Sequence, residues 1–143
     1  MGSVIGVIDG DTISVLLNGA PTRVRLNGID CPESRQPFGT RAKQFTSALA
    51  FGKTVTIEDK GSDRYGRMIA DVMLPDGTSL NRELVKAGMA WWYRKYAPSN
   101  WLLKELESDA RQSRRGLWAD SQPVPPWDWR KPPITIRSAS EDQ

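Results

Sequence analysis

Histidine is absent from this 143-residue sequence, and cysteine occurs only once, at Cys31. Without imidazole, any catalysis near neutral pH has to use other groups, and a zinc site ligated by histidine is excluded. A single cysteine can form neither an intrachain disulfide nor a cysteine cluster for a metal. The cellular compartment therefore cannot be read from disulfide bonds.

Long apolar runs are also missing. No stretch approaches the roughly 18 residues that a membrane-spanning helix needs, so we expect no membrane partner. The N-terminus leads directly from Met1 into the β-branched residues 4–8, without the charged and apolar regions of a signal peptide. We expect that the protein stays inside the cell or that a leader has been removed from it.

The composition is that of an ordinary globular domain, with 38% hydrophobic and 26% charged residues. The formal net charge is +3, and arginine outnumbers lysine by thirteen to seven. Arginine offers a planar fork that pairs with phosphate through two hydrogen bonds. The excess of arginine mildly favours a polyanionic partner.

Five segments have the apolar and β-branched pattern of strands, namely residues 4–8, 12–17, 22–29, 54–58 and 67–74. Helical spacing predicts helices over residues 38–51 and 80–87, and a third that begins at Ser99 and ends at Gly116. Strands, one helix, more strands and two helices indicate the α+β class. Five strands fit the small barrel of the oligonucleotide-binding (OB) fold.

The composition changes to proline and tryptophan over residues 121–133. We expect no regular helix there, because proline removes a backbone donor and clashes with the preceding turn. Trp127 and Trp129 suggest that this segment packs back on the body of the protein, and base stacking is the alternative. Residues 138–143 are polar, and we expect them to be frayed.

Three clusters of polar residues follow predicted strands, at residues 8–12, 25–33 and 63–67. Taken singly, each is typical of an ordinary turn or loop. Together they suggest chemistry, because Asp11 and Asp30 offer hard oxygen ligands for calcium or magnesium. Each of these two residues lies at the end of a predicted strand, so the fold is able to bring them together.

The same clusters contain the other groups that hydrolysis of a phosphodiester needs. Glu33 lies close enough to Asp30 in sequence to orient a metal-bound water. Arg25 and Arg67 lie in or beside strands and are able to reach a phosphate. A metal and two guanidiniums neutralise charge on phosphorus while the carboxylate handles water.

These motifs resemble the staphylococcal nuclease family. The matching stretches are IDGDT at 8–12, RLNGIDCPE at 25–33, DRYGR at 63–67 and LNRELVKAGMAWWYRKY at 80–96. The resemblance implies a five-stranded OB barrel with three α-helices. It also implies calcium-dependent cleavage of DNA and RNA that leaves 3′-phosphates.

The resemblance assigns metal roles to four residues. Asp11 and Asp30 match the calcium carboxylates, and Asp9 matches an acid in the outer shell. Cys31 stands where the family commonly has threonine and contributes a backbone carbonyl to calcium. Since the ligand there is a carbonyl, we expect the metal site to tolerate cysteine.

The resemblance also assigns catalytic and substrate-binding roles. Glu33 matches the proposed general base, and Arg25 and Arg67 match the two phosphate-binding arginines. Tyr65 and Tyr93 match aromatic residues beside the nucleotide. The loop over residues 34–39 is short, which leaves rate and substrate preference open.

We therefore expect residues 1–120 to form a catalytic domain and residues 121–143 a partly docked tail with a disordered end. The alternative is an OB-fold module that binds nucleic acid or protein without catalysis. Retention of all five residues of the expected active site favours the enzyme: Asp11, Arg25, Asp30, Glu33 and Arg67. We expect a monomer without an obligate protein partner. The family resemblance suggests a secreted or periplasmic location if a leader was removed.

Overall fold

A barrel of five strands forms the centre of the computed structural model, which describes residues 1–131. The described part of the chain contains seven strands: β1 (Gly2–Asp9), β2 (Thr12–Leu17), β3 (Ala20–Leu26), β4 (Ile29–Asp30), β5 (Thr54–Ser62), β6 (Met68–Met73) and β7 (Trp91–Trp92). The barrel closes in the order β1-β2-β3-β6-β5. The predicted frayed end, residues 138–143, lies outside the described residues.

All neighbouring barrel strands are antiparallel except β3 and β6, which are parallel. The hairpin between β2 and β3 turns at Asn18 and Gly19, whose φ angles of 50° and 79° suit the left-handed conformation of such turns. The barrel interior is filled by fully buried side chains such as Ile13, Val24 and Val72. The predicted α+β class and five-stranded barrel are thus confirmed.

The third strand is shorter than predicted. β3 ends at Leu26, and the chain turns at Gly28, where φ is 77°. The remaining residues form β4, which pairs with β7 in a separate two-stranded sheet. In that sheet Asp30 lies opposite Trp91, so the break at Gly28 decides where Asp30 is held.

Within residues 1–131 the structure has four α-helices, whereas three were predicted: α1 (Gly39–Ala50), α2 (Leu80–Lys86), α3 (Trp101–Gln112) and α4 (Pro126–Trp129). The predicted ends of α3 were wrong. Its N-cap is Asn100, whose Oδ1 accepts a hydrogen bond from the Leu103 backbone N at 3.1 Å. It ends at Gln112, and a separate 3-10 turn covers Gly116–Ala119. Within residues 1–131, no helix has the length and apolar character needed to cross a bilayer.

The fourth helix, α4, corrects the expectation that residues 121–133 contain no regular helix. Pro126 occupies its first turn, where the missing N–H of proline has no partner to lose and its fixed φ suits the helix. The helix is a single turn closed by hydrogen bonds from Trp129 N to Pro125 O and from Arg130 N to Pro126 O, both 3.0 Å.

Gly88 lies where two backbone segments are in close contact, whereas Gly66 lies in open space. A Cβ on Gly88 would lie 2.1 Å from the carbonyl oxygen of Arg115, and φ is +75° there. Gly66 has a similar φ of +82° but open space around its Cβ position. We expect Gly88→Ala to lower the free energy of unfolding by at least about 3 kcal/mol. Gly66→Ala should cost about 1–2 kcal/mol. Urea unfolding measures both, and equal losses would contradict the close approach.

Candidate active site

Two buried carboxylates meet where the turn between β1 and β2 reaches the end of β3. Asp11 lies in that turn and is 5% exposed, and its carbonyl accepts a hydrogen bond from Leu26 N at 2.9 Å. Asp30 ends β4 and is fully buried. The fold therefore brings together two acidic residues that are 19 positions apart in the sequence.

Arg25 bridges these two carboxylates. Its Nη2 lies 3.2 Å from Asp30 Oδ1 and 3.6 Å from Asp11 Oδ2. Its Nη1 donates to the carbonyls of Leu26 and Ile29 at 2.8 and 2.9 Å. Burial disfavours the charge of the guanidinium, but Asp11 and Asp30 outweigh burial and raise the pKa of Arg25. The arginine is therefore a fixed positive charge that sets the distance between the carboxylates.

Asp11 is further fixed by its own neighbours. Its Oδ2 accepts from the backbone N of Cys31 at 2.8 Å, and its Oδ1 accepts from the Thr12 hydroxyl at 3.2 Å. The backbone of Cys31 therefore lies beside the acidic pair. Burial raises the pKa of the Cys31 thiol well above its ordinary value, which keeps the thiol protonated and unreactive.

Two carboxylates near Asp11, those of Asp30 and Asp9, have raised pKa values. Burial, with a smaller contribution from the charge of Asp11, raises the pKa of Asp30 to about 6 against the opposing effects of Arg130 and Arg25. Burial and the charge of Asp11 also raise the pKa of Asp9, at the end of β1. A cation close to such acids stabilises their charged forms.

Arg67 is held by Asp63, a residue to which the sequence assigned no role. Asp63 Oδ2 accepts from Arg67 Nε at 2.7 Å, and Oδ1 accepts from the backbone N atoms of Tyr65 and Arg67 at 2.9 and 3.0 Å. The charge of Arg67 partly opposes the rise in the pKa of Asp9 that burial and Asp11 cause. Tyr65 is 69% exposed, and the Arg67 guanidinium lies 5.5 Å from its ring centre.

Glu33 contacts an arginine from the far end of the described chain. Its Oε2 lies 3.2 Å from Arg130 Nη1. The same guanidinium binds both oxygens of Asp30, through Nη2 to Oδ2 at 2.8 Å and through Nη1 to Oδ1 at 3.3 Å. No site role was predicted for Arg130 from the sequence. Its position directly after two tryptophans, in a segment expected to dock, is the signal that points to it.

Tyr93 follows β7 and lies beside the acidic pair. Its backbone N donates to Gly28 O at 2.9 Å, and burial and then Asp30 raise the pKa of its hydroxyl. Its ring stacks on Trp127, with centroids 5.0 Å apart and planes 8° from parallel. One face of the predicted nucleotide-binding tyrosine is therefore covered by the C-terminal segment.

The side chains of the site form an incomplete set of metal ligands. In the part of the chain that the structure describes, no three histidine, cysteine, aspartate or glutamate side chains group together as a metal site. Asp11 and Asp30 can supply two oxygen ligands, and a hard cation such as calcium takes six to eight. Backbone carbonyls, water and substrate oxygens have to supply the others. The buried acids, already paired with guanidiniums, fit a cation of this kind.

One family model and several known proteins match most of this chain. A model of the family described as staphylococcal nuclease homologue matches residues 23–120. An uncharacterized endonuclease of Escherichia coli O157:H7 is 46% identical over 129 residues, which cover 90% of this chain and 84% of that protein. A micrococcal nuclease of Shigella flexneri is 44% identical over 139 residues, covering 91% and 80%. The staphylococcal-like nuclease CAN1 of Arabidopsis thaliana is 41% identical over 109 residues, covering 76% and 33%.

Proposed function

Since the chain belongs to the staphylococcal nuclease family and is a nuclease, we propose that it depends on calcium, cleaves both DNA and RNA, and leaves 3′-phosphate ends. The observation that carries the proposal is the pair of buried carboxylates, Asp11 and Asp30, joined by the Arg25 guanidinium at 3.6 and 3.2 Å. The match of the motifs to the family supports calcium in particular.

In this proposal Asp11, Asp30 and the backbone carbonyl of Cys31 hold calcium, and Asp9 acts from the outer shell. When bound, calcium supplies positive charge to the phosphate oxygens and to the attacking water. Arg25 donates to Asp30 and the Cys31 backbone N donates to Asp11, so both carboxylates are held in defined positions beside each other.

Glu33 takes the proton from the attacking water as general base. The new bond joins the water oxygen to phosphorus, and the bond from phosphorus to the 5′ oxygen breaks. The leaving 5′ oxygen takes up a proton from solvent and Glu33 releases its proton to solvent, so the products are a 3′-phosphate and a 5′-hydroxyl. Glu33 is suited to contact with solvent and substrate because its side chain is 35% exposed.

Arg25 and Arg67 stabilise the charge that grows on the phosphoryl oxygens. Arg67 is bound to Asp63 through Nε, and no hydrogen bond engages its two terminal nitrogens within residues 1–131. Those nitrogens suit a two-pronged contact with phosphate. Tyr65 and Tyr93 flank this region and suit contact with the sugar or base.

Activity is expected to require calcium. The full chain, incubated with plasmid DNA and with single-stranded RNA, should cleave both when calcium is present and neither in excess chelator. Calcium at about 100 times its dissociation constant should stabilise the fold by about 2.7 kcal/mol, because it binds the folded site alone. Magnesium in a parallel series shows whether the site selects calcium.

Asp11→Asn tests the metal site directly, because it removes the charge of one proposed ligand. This variant should lose both the cleavage and the calcium-dependent rise in melting temperature. Product ends are assigned by extension with a polymerase before and after phosphatase treatment. Full cleavage in chelator would remove the metal from the mechanism. Binding of nucleic acid without cleavage under any metal would favour the non-catalytic OB-fold module.

A further inference from the structure

Both carboxylate oxygens of Asp30 are bound by guanidinium groups. Oδ1 accepts from Arg25 Nη2 at 3.2 Å and from Arg130 Nη1 at 3.3 Å, and Oδ2 accepts from Arg130 Nη2 at 2.8 Å. The Asp30 side chain is only 1% exposed. A divalent cation that approaches this carboxylate therefore has to take the place of a hydrogen bond from Arg130.

Arg130 spans two functional groups at once. Through Nη1 it also reaches Glu33 Oε2 at 3.2 Å, so one positive charge lies between the proposed metal ligand and the proposed general base. The hydrogen bond to Asp30 and the charges of Asp30 and Glu33 raise the pKa of Arg130. This guanidinium thus occupies a position where the carboxylates favour a cation.

The backbone that carries Arg130 is held in place by aromatic packing. Trp127 stacks on Tyr93 and meets the edge of Trp91 with ring centroids 5.4 Å apart. Pro126 is buried, and the side-chain amide of Gln36 donates to the carbonyl of Val124. We call residues 124–131 the gate segment. Its docking delivers Arg130 to Asp30 and at the same time covers one face of Tyr93.

We propose that Arg130 is a further active-site residue, a gate that competes with the divalent cation for Asp30. This inference rests on the proposed metal dependence. Arg130 and the cation compete for Asp30. The apparent affinity for the cation therefore equals its intrinsic affinity multiplied by the fraction of molecules in which Asp30 is free of Arg130. Because the gate segment also covers Tyr93, metal binding and exposure of the nucleotide-binding face are coupled.

Removing the guanidinium should therefore tighten metal binding. We expect Arg130→Met, which keeps the aliphatic stem, to bind calcium about three to five times more tightly than the unaltered protein, the scale of one partly exposed ion pair. Isothermal titration with calcium chloride measures the affinity directly. Arg130→Lys keeps the charge but loses the two-pronged contact and should give an intermediate affinity.

Lys131→Ala is the matched control. It removes the same charge one position further along, from a side chain that is 64% exposed and paired with Asp128, and its calcium affinity should stay within about twofold of the unaltered protein. A second readout is the rise in melting temperature on adding calcium, which should be larger for Arg130→Met than for Lys131→Ala. This readout remains informative if the metal-free Arg130→Met protein is less stable.

The experiment distinguishes failure of the gate from failure of the proposed metal dependence. If the unaltered protein binds calcium and Arg130→Met binds it no more tightly than Lys131→Ala does, the gate is wrong and the proposed function stands. If neither the unaltered protein nor any Arg130 variant binds calcium, the metal dependence and the gate both fail. Tighter binding by Arg130→Met and an intermediate affinity for Arg130→Lys, with Lys131→Ala unchanged, support the gate.

Discussion

Replacing Glu33 by glutamine should reduce turnover by about 10²–10⁴, the usual loss when a positioned acid–base group is removed. Glutamine keeps the shape of the side chain but cannot accept a proton from water. The fold should be little affected, because Glu33 is 35% exposed and its contact with Arg130 is a partly exposed ion pair. Such a pair contributes at most about 1 kcal/mol to stability.

Glu58→Gln is the appropriate control for this experiment. Glu58 lies in β5, its side chain is 60% exposed, and it pairs with Lys60 at 2.7 Å, so its loss removes a surface carboxylate of the same type. Single-turnover cleavage at saturating calcium separates the chemical step from binding. If Glu33→Gln turns over as fast as Glu58→Gln, Glu33 has no part in proton transfer.

The sequence predicted the acidic centre of the site because the relevant signals are local. Asp11 lies in the turn that follows a strand, and Asp30 ends a segment with strand character. In a small barrel the ends of neighbouring strands lie close together, so two such residues are expected to approach each other. The structure adds Arg25 as the group that joins them.

The sequence could not predict the gate, because its contacts join residues about 100 positions apart. The contact of Arg130 with Asp30 depends on how Trp127 packs against Trp91 and Tyr93, and no periodicity records such packing. The single helical turn of α4 was missed for a related reason. Proline is unfavourable within a helix but acceptable in its first turn, and the sequence alone does not say which position Pro126 takes.

Two very short strands and one side chain that anchors a loop were also not predicted from the sequence. β4 and β7 contain two residues each, which is too few for an alternating pattern to appear. Asp63 has the sequence context of an ordinary loop acid, yet its three hydrogen bonds to Tyr65 and Arg67 organise the loop that carries Arg67. Only the folded backbone shows that these donors converge on one carboxylate.

Replacing Arg25 by lysine should reduce both turnover and stability. Turnover should fall by about 10²–10³, as when one donor that stabilises transition-state charge is removed. A single ammonium cannot reproduce the fork that contacts Asp30 and the carbonyls of Leu26 and Ile29. Because the side chain is only 15% exposed, leaving these buried groups without partners should cost about 1–3 kcal/mol of folding free energy.

Arg67→Lys should separate the effect on turnover from the effect on stability, because Arg67 is 29% exposed and is bound mainly by Asp63. We expect a comparable loss of turnover with a stability loss below about 1 kcal/mol. Arg23→Lys is the control, since Arg23 is exposed on β3 two residues before Arg25 and should change neither quantity. Turnover, nucleic-acid affinity and urea unfolding are measured for all three variants. If the lysine variants at 25 and 67 lose only affinity and keep full turnover, these arginines bind substrate without stabilising the transition state.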